Sequence, residues 1–139
     1  MNINDKLTED ETVELLMNHL EGDGYNIISF CKGHKRGTDI VAEKNNRKLL
    51  VEVKGARANH NSKIKKRPYF DSGQIKDHFG KAIVKVLELK SDNENCDVAI
   101  AHPDDKSIKK HLNKSIIHLK KLEIFHFWVS KNGNVEIIK

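Results

Sequence analysis

Apolar residues recur along this chain with two different periods. Val13, Leu16, Met17 and Leu20 repeat at helical spacing, so one face of a helix is apolar. Thr8 and Glu11 form a capping-box pattern at its start, and Gly22 or Gly24 ends it. Tyr25 to Phe30 reads as a strand. From Gly37 to Gly55 the period is two, and a polar turn at Lys44–Arg47 divides the stretch into a hairpin. Leu49, Val51 and Val53 point to one face, and Glu52 and Lys54 to the other. Ile75, Phe79, Ala82, Ile83, Val86 and Leu87 restore the helical period, with Asp71 or Ser72 as cap and Asp71-x-x-Gln74 as a second capping box. Asp97 to Ala101 is a short apolar run, consistent with a parallel strand. Ile108, Leu112, Ile116 and Leu119 predict a lysine-rich helix over 107–121, preceded by Asp104 and Asp105 as helix N-terminal charge. The chain closes on a hairpin, Ile124–Val129 and Val135–Ile138, whose Asn132-Gly133 predicts a type I′ turn.

The order is helix, three strands, helix, strand, helix, two strands. It predicts an α/β fold with a mixed sheet, in one domain of 139 residues. No apolar run approaches the ~20 residues that span a bilayer. The N-terminus lacks the apolar core of a signal peptide, so a cytoplasmic location and no membrane partner are expected. The formal net charge of +5 favours a polyanionic partner. Cys31 and Cys96 fit no zinc spacing and read as two buried thiols.

The hairpin carries the chemistry. Asp39 opens its first strand, and folding about the turn sets Asp39 near Glu52 and Lys54. Two carboxylates and an ammonium then converge at the end of an apolar hairpin. Oxygen ligands of this kind suit Mg²⁺, with a lysine beside them to orient or activate a water.

Gly37-x-Asp39-Ile40 followed by Val51-Glu52-Val53-Lys54-Gly55 resembles the PD-(D/E)xK nuclease superfamily, in the branch of Holliday-junction resolvases and type IV restriction nucleases. Thr38 stands where many members have proline. The resemblance covers roughly the first hundred residues. It implies a restriction-endonuclease-like α-β-β-β-α-β core over about 8–101, with a C-terminal helix and β-hairpin over about 102–139 as an extension. It also implies Mg²⁺-dependent phosphodiester hydrolysis, with Mn²⁺ as a substitute ion, and a metal held by Asp39, Glu52 and Val53. Lys54 would position the attacking water or stabilise charge developing on phosphorus. A glutamate on the first helix would add a ligand. Because Glu11 has a capping role, Glu14 is the preferred residue. Gln74 would assist by hydrogen-bonding water or phosphate.

Basic residues flank this site. Lys35 and Arg36 lie in the loop before Asp39. Arg57, Lys63, Lys65, Lys66 and Arg67 crowd the segment after Gly55 and suit a phosphate backbone. His34 and His60 also flank the site, while Tyr69 and Phe70 read as packing residues. DNA is the expected partner, with RNA as the alternative polyanion. A non-cleaving nucleic-acid-binding module, or a subunit of a larger restriction or repair complex, is the alternative function. With no separate recognition domain in view, structure-specific cutting as a homodimer or dependence on partner subunits is expected.

Overall fold

The computed structural model describes residues 6–33, 35–59 and 69–139. Its elements run α1 (Glu9–Gly22), β1 (Asn26–Phe30), β2 (Ile40–Lys44), β3 (Arg47–Val53), α2 (Ser72–Asp92), β4 (Asp97–Pro103), α3 (Lys106–Ile116), a 3₁₀ turn (Leu119–Leu122), β5 (Ile124–Val129) and β6 (Val135–Ile138). The first six have the order of the restriction-endonuclease-like core. All six strands form one mixed sheet in the order β1-β2-β3-β4-β5-β6. β1, β2 and β3 form an antiparallel meander. β4 and β5 are then added parallel, and β6 turns back antiparallel. Each parallel step needs a crossover longer than a hairpin, and α2 and α3 supply them.

Strand alternation sorts the core into two layers. Leu49, Val51, Val53, Ala99, Ala101 and Phe127 face α1 and pack on Val13, Leu16 and Leu20. Leu50, Val98, Ile100, Ile124 and Trp128 face the other way, onto Ile75, Phe79 and Val86 of α2 and Ile108 and Leu112 of α3. β3 is therefore covered on both faces, and its even-numbered residues are not simply solvent-facing. Leu87, counted with the apolar stripe of α2, stays exposed. Cys31 and Cys96, expected as buried thiols, are free but only partly buried. The C-terminal segment, expected as an extension, continues the sheet and shares its core. Trp128 is 1 % exposed within the same cluster as Phe79.

Both capping boxes form. Thr8 Oγ1 accepts from Glu11 N–H and Glu11 Oε1 from Thr8 N–H, and Asp71 and Gln74 do the same for α2. Asp105 caps α3 by accepting from Ile108 N–H. The turns depart from expectation. At the C-terminal hairpin only Gly133 has positive φ (92°), and Gly133 N–H donates to Ser130 O. The residues between paired Ser130 and Asn134 form a three-residue loop with glycine in the left-handed position, not a type I′ turn. Two consecutive positive φ values occur instead at Asn45 (53°) and Asn46 (63°), between β2 and β3. Asparagine tolerates that region, and tight register across β2 and β3 demands it.

Candidate active site

The β2–β3 register pairs Ile40 with Val51, which sets Asp39 opposite Glu52. Asp39 Oδ2 accepts from Val53 N–H at 2.8 Å, so the backbone of β3 fixes the carboxylate. Lys54 Nζ lies 3.3 Å from Glu52 Oε2, and both side chains are mostly buried. The Asp39, Glu52 and Lys54 expected from the hairpin thus converge at the carboxyl end of β3. Val53 contributes its main chain here, while its side chain is buried in the core on the α1 side.

Glu9 completes the group. It is the first residue of α1, and the neighbouring backbones explain its position. Ala56 N–H donates to Leu7 O, Thr8 forms a parallel bridge with Arg57, and Arg57 Nε donates to Lys6 O. The segment before α1 therefore lies along the segment after β3. Gly55 makes this approach possible, because a Cβ there would sit 2.4 Å from Glu9 N and 2.8 Å from Thr8 C. Asn59 Oδ1 accepts from Asp10 N–H, and Asp10 Oδ1 accepts from Gly33 N–H, so both flanking loops are tied to the start of α1.

Three partly buried carboxylates, Glu9, Asp39 and Glu52, then act on one another, with Lys54 beside Glu52 and in the field of Glu9. Burial, followed by repulsion from Glu52, raises the Asp39 carboxyl to about 8, although the Val53 N–H opposes the shift. Burial raises Glu9 to about 7, opposed by Lys54 and reinforced by Glu52 and Asp10. An excess of negative charge held out of water takes up protons, or it takes up a cation. Among the described residues, no three His, Cys, Asp or Glu side chains converge closely enough to enclose a metal ion. A pair of carboxylates with a third in their field suits a hard ion that keeps most of its water, as Mg²⁺ does.

The structure does not bring Glu14 to this group. It is exposed and pairs with Lys32 at 3.1 Å. Five residues beyond Glu9 is a rotation of about 140° around a helix, which points Glu14 elsewhere. Gln74 is occupied in the α2 capping box. His78, one turn further on, lines the small cleft beside Lys54, with Glu9, Gly55, Arg57 and Phe70. This cleft is about 100 Å³, room for about three waters. Burial, then the charge of Lys54, lowers the His78 pKa, and its ring meets Phe70 edge-on at 4.5 Å. Lys35 and Arg36 are exposed in the loop before Asp39. Arg57 is mostly buried and held by Lys6 O and, at 3.7 Å, by Glu11. Lys63, Lys65, Lys66, Arg67, His34 and His60 lie outside the described residues.

Sequence reading missed Glu9 and His78. Glu9 carried one local signal: it directly follows the N-cap. His78 carried none, because a polar position on a helix reads the same whether it meets a site or solvent.

No family model matches the chain, and neither does any curated protein. Two solved structures share its fold. One is an FdxN element excision controlling factor protein from Anabaena variabilis. It is 17 % identical with a TM-score of 0.57, over 94 % of this chain and 99 % of that one. The other is an XisH family protein from Nostoc punctiforme. It is 16 % identical with a TM-score of 0.58, over 94 % of this chain and all of that one (100 %).

Proposed function

We propose that this chain is a Mg²⁺-dependent endonuclease that hydrolyses phosphodiester bonds in DNA, structure-specific or tied to restriction or repair. The observation that carries this reading is the unbalanced charge at the end of β3, where Glu9, Asp39 and Glu52 lie in one another's field and Lys54 pairs with Glu52 and acts on Glu9. Asp39 and Glu52, with the Val53 main chain between them, would hold the ion, and Glu9 would add to their field. When bound, the ion supplies a Lewis acid for the scissile phosphate and a water of lowered pKa. Asp39 is oriented for its role by the Val53 N–H. Lys54, steadied by Glu52, presents its ammonium to the negative charge that develops on the phosphoryl oxygens. The burial of Lys54 strengthens that interaction relative to water. Exposed Lys35 and Arg36 give phosphate contacts beside the cut.

Likeness to two proteins, one of them named for excision control, supports a role in which nucleic acid is cut. A neighbour that controls excision is also consistent with a second reading of this chain, a module or subunit that holds nucleic acid without cutting it. Cleavage of plasmid and branched DNA with Mg²⁺, Mn²⁺ or EDTA separates the two. Metal-dependent cutting that is lost in Lys54→Ala is expected. Clean protein that binds DNA and cuts neither substrate would establish the second reading.

A further inference from the structure

His102 on β4 and His126 on β5 are buried in the α2–α3 face of the sheet, 2 % and 0 % exposed. His102 Nδ1 and His126 Nε2 are 2.9 Å apart. Phe79 and Trp128 surround them, with Trp128 edge-on to His126 at 4.5 Å. Their other ring nitrogens, His102 Nε2 and His126 Nδ1, are buried without a hydrogen-bond partner among the described residues. A core does not bury two unpaired polar atoms without cost, and two apolar side chains of similar size would avoid it.

The position of the pair suggests what offsets that cost. β3 and β4 are parallel with Val53 beside Ala101, and Lys54 N–H donates to Ala101 O. Lys54 and His102 are therefore neighbours across the strands, on the same face. His102 spends Nδ1 toward β5, and the opposite side of β4 is β3, which carries Lys54. The charge of Lys54 acts on His102 together with that of His78 from α2, and Lys109 of α3 acts on His126.

The chemistry of two neutral imidazoles then has only two states. If His102 carries its proton on Nδ1 and donates to His126, its Nε2 is a bare lone pair and His126 bears a proton on Nδ1. If His126 donates instead, both outer atoms reverse roles. A neighbouring ammonium favours a lone pair over an N–H. We propose that Lys54 and the His102–His126 pair are one device: His102, protonated on Nδ1, turns its Nε2 lone pair toward the neighbouring strand that carries Lys54 and so helps position that ammonium. His102 and His126 are positioning residues, acting through Lys54. The functional half of this inference rests on the nuclease reading, whereas the tautomer half does not.

Nitrogen-15 NMR of the imidazoles tests the tautomers directly in the full chain. Both rings are expected to be protonated on Nδ1 and bare on Nε2. In Lys54→Met, which keeps the stem and removes the charge, the populations are expected to move toward the reverse form. A proton on His102 Nε2 in the unaltered protein, or identical tautomers in Lys54→Met, overturns the proposal. The second arm is the double variant His102→Leu/His126→Leu, which should melt at the same temperature or higher. Its kcat should fall about tenfold with KM unchanged, and His102→Gln, which restores an acceptor near the Nε2 position, should recover part of the loss. Full kcat in the folded double variant overturns the positioning role. If the unaltered protein cuts no DNA, the nuclease reading fails by itself, and the NMR arm still decides the tautomer claim.

Discussion

Two groups of buried charge lie near the start of α1, and they are built on opposite plans. Lys6 and Asp105 form a matched pair, 2.7 Å apart and 4 % and 8 % exposed at their side chains. Asp105 also caps α3, and the Lys6 ammonium lies 5.1 Å from the centre of the Tyr69 ring. Each charge is answered, so the pair pins the N-terminal segment to α3 and offers little to a ligand. Glu9, Asp39 and Glu52, by contrast, repel one another, with Lys54 answering only Glu52 and Glu9, and two of the three are pushed to about 7 and about 8. Balanced burial serves architecture. Unbalanced burial leaves an affinity for protons or cations, which is what a catalytic site can use.

The comparison breaks most sharply at Asp39. Asp39→Asn keeps an acceptor for the Val53 N–H and removes the charge. Cleavage should fall by about 10³-fold or more while the melting temperature holds or rises. Retained metal-dependent cutting would remove Asp39 from the site. Asp105→Ala should do the converse. It strands Lys6 in the interior and should cost about 3–5 kcal/mol in urea unfolding. A near-neutral result there would mean the matched pair is not structural.

Gly55→Ala tests the backbone approach that links the two groups. Its Cβ would meet main-chain atoms of Glu9 and Thr8. A loss of about 1–3 kcal/mol is expected, with weakened Mg²⁺ response as Glu9 is displaced.

The pH dependence follows from the raised carboxyls. Unfolded, Glu9 and Asp39 lose their protons at the ordinary carboxyl values of 4.5 and 3.8; folded, they keep them to about 7 and about 8. The native state binds more protons across that window, so their contribution to stability is whole below about pH 4 and is lost as pH rises through 7 to 8. Melting temperature without divalent metal should therefore fall from about pH 5 to about pH 9. Added Mg²⁺ should remove most of the fall, since an ion replaces the protons. A flat profile without metal would contradict the crowding of these carboxylates.

The smallest contrast separates the two helix glutamates. Glu9→Gln should weaken Mg²⁺ activation by about tenfold, the effect of losing a nearby charge. Glu14→Gln, at an exposed ion pair, should leave cleavage and stability within error. Equal effects would overturn the assignment of Glu9.

What the sequence determined by itself was local or nearly so. Both capping boxes join residues three apart, and Asp39 meets Glu52 through a hairpin whose two-residue period sets the register. Side-chain alternation alone placed Glu52 and Lys54 on one face. Only the tertiary structure decided the rest, because those contacts join residues far apart in the chain. Glu9 displaced Glu14 because α1 starts against Gly55, an approach of backbones that no periodicity records. The C-terminal strands became part of the sheet because β4 and β5 pair in parallel, through crossovers that bring His126 beside His102 and His102 beside Lys54. Asn-Gly lost the type I′ turn to Asn45-Asn46 because Ser130 pairs with Asn134, which leaves three residues in the loop where a type I′ turn has two.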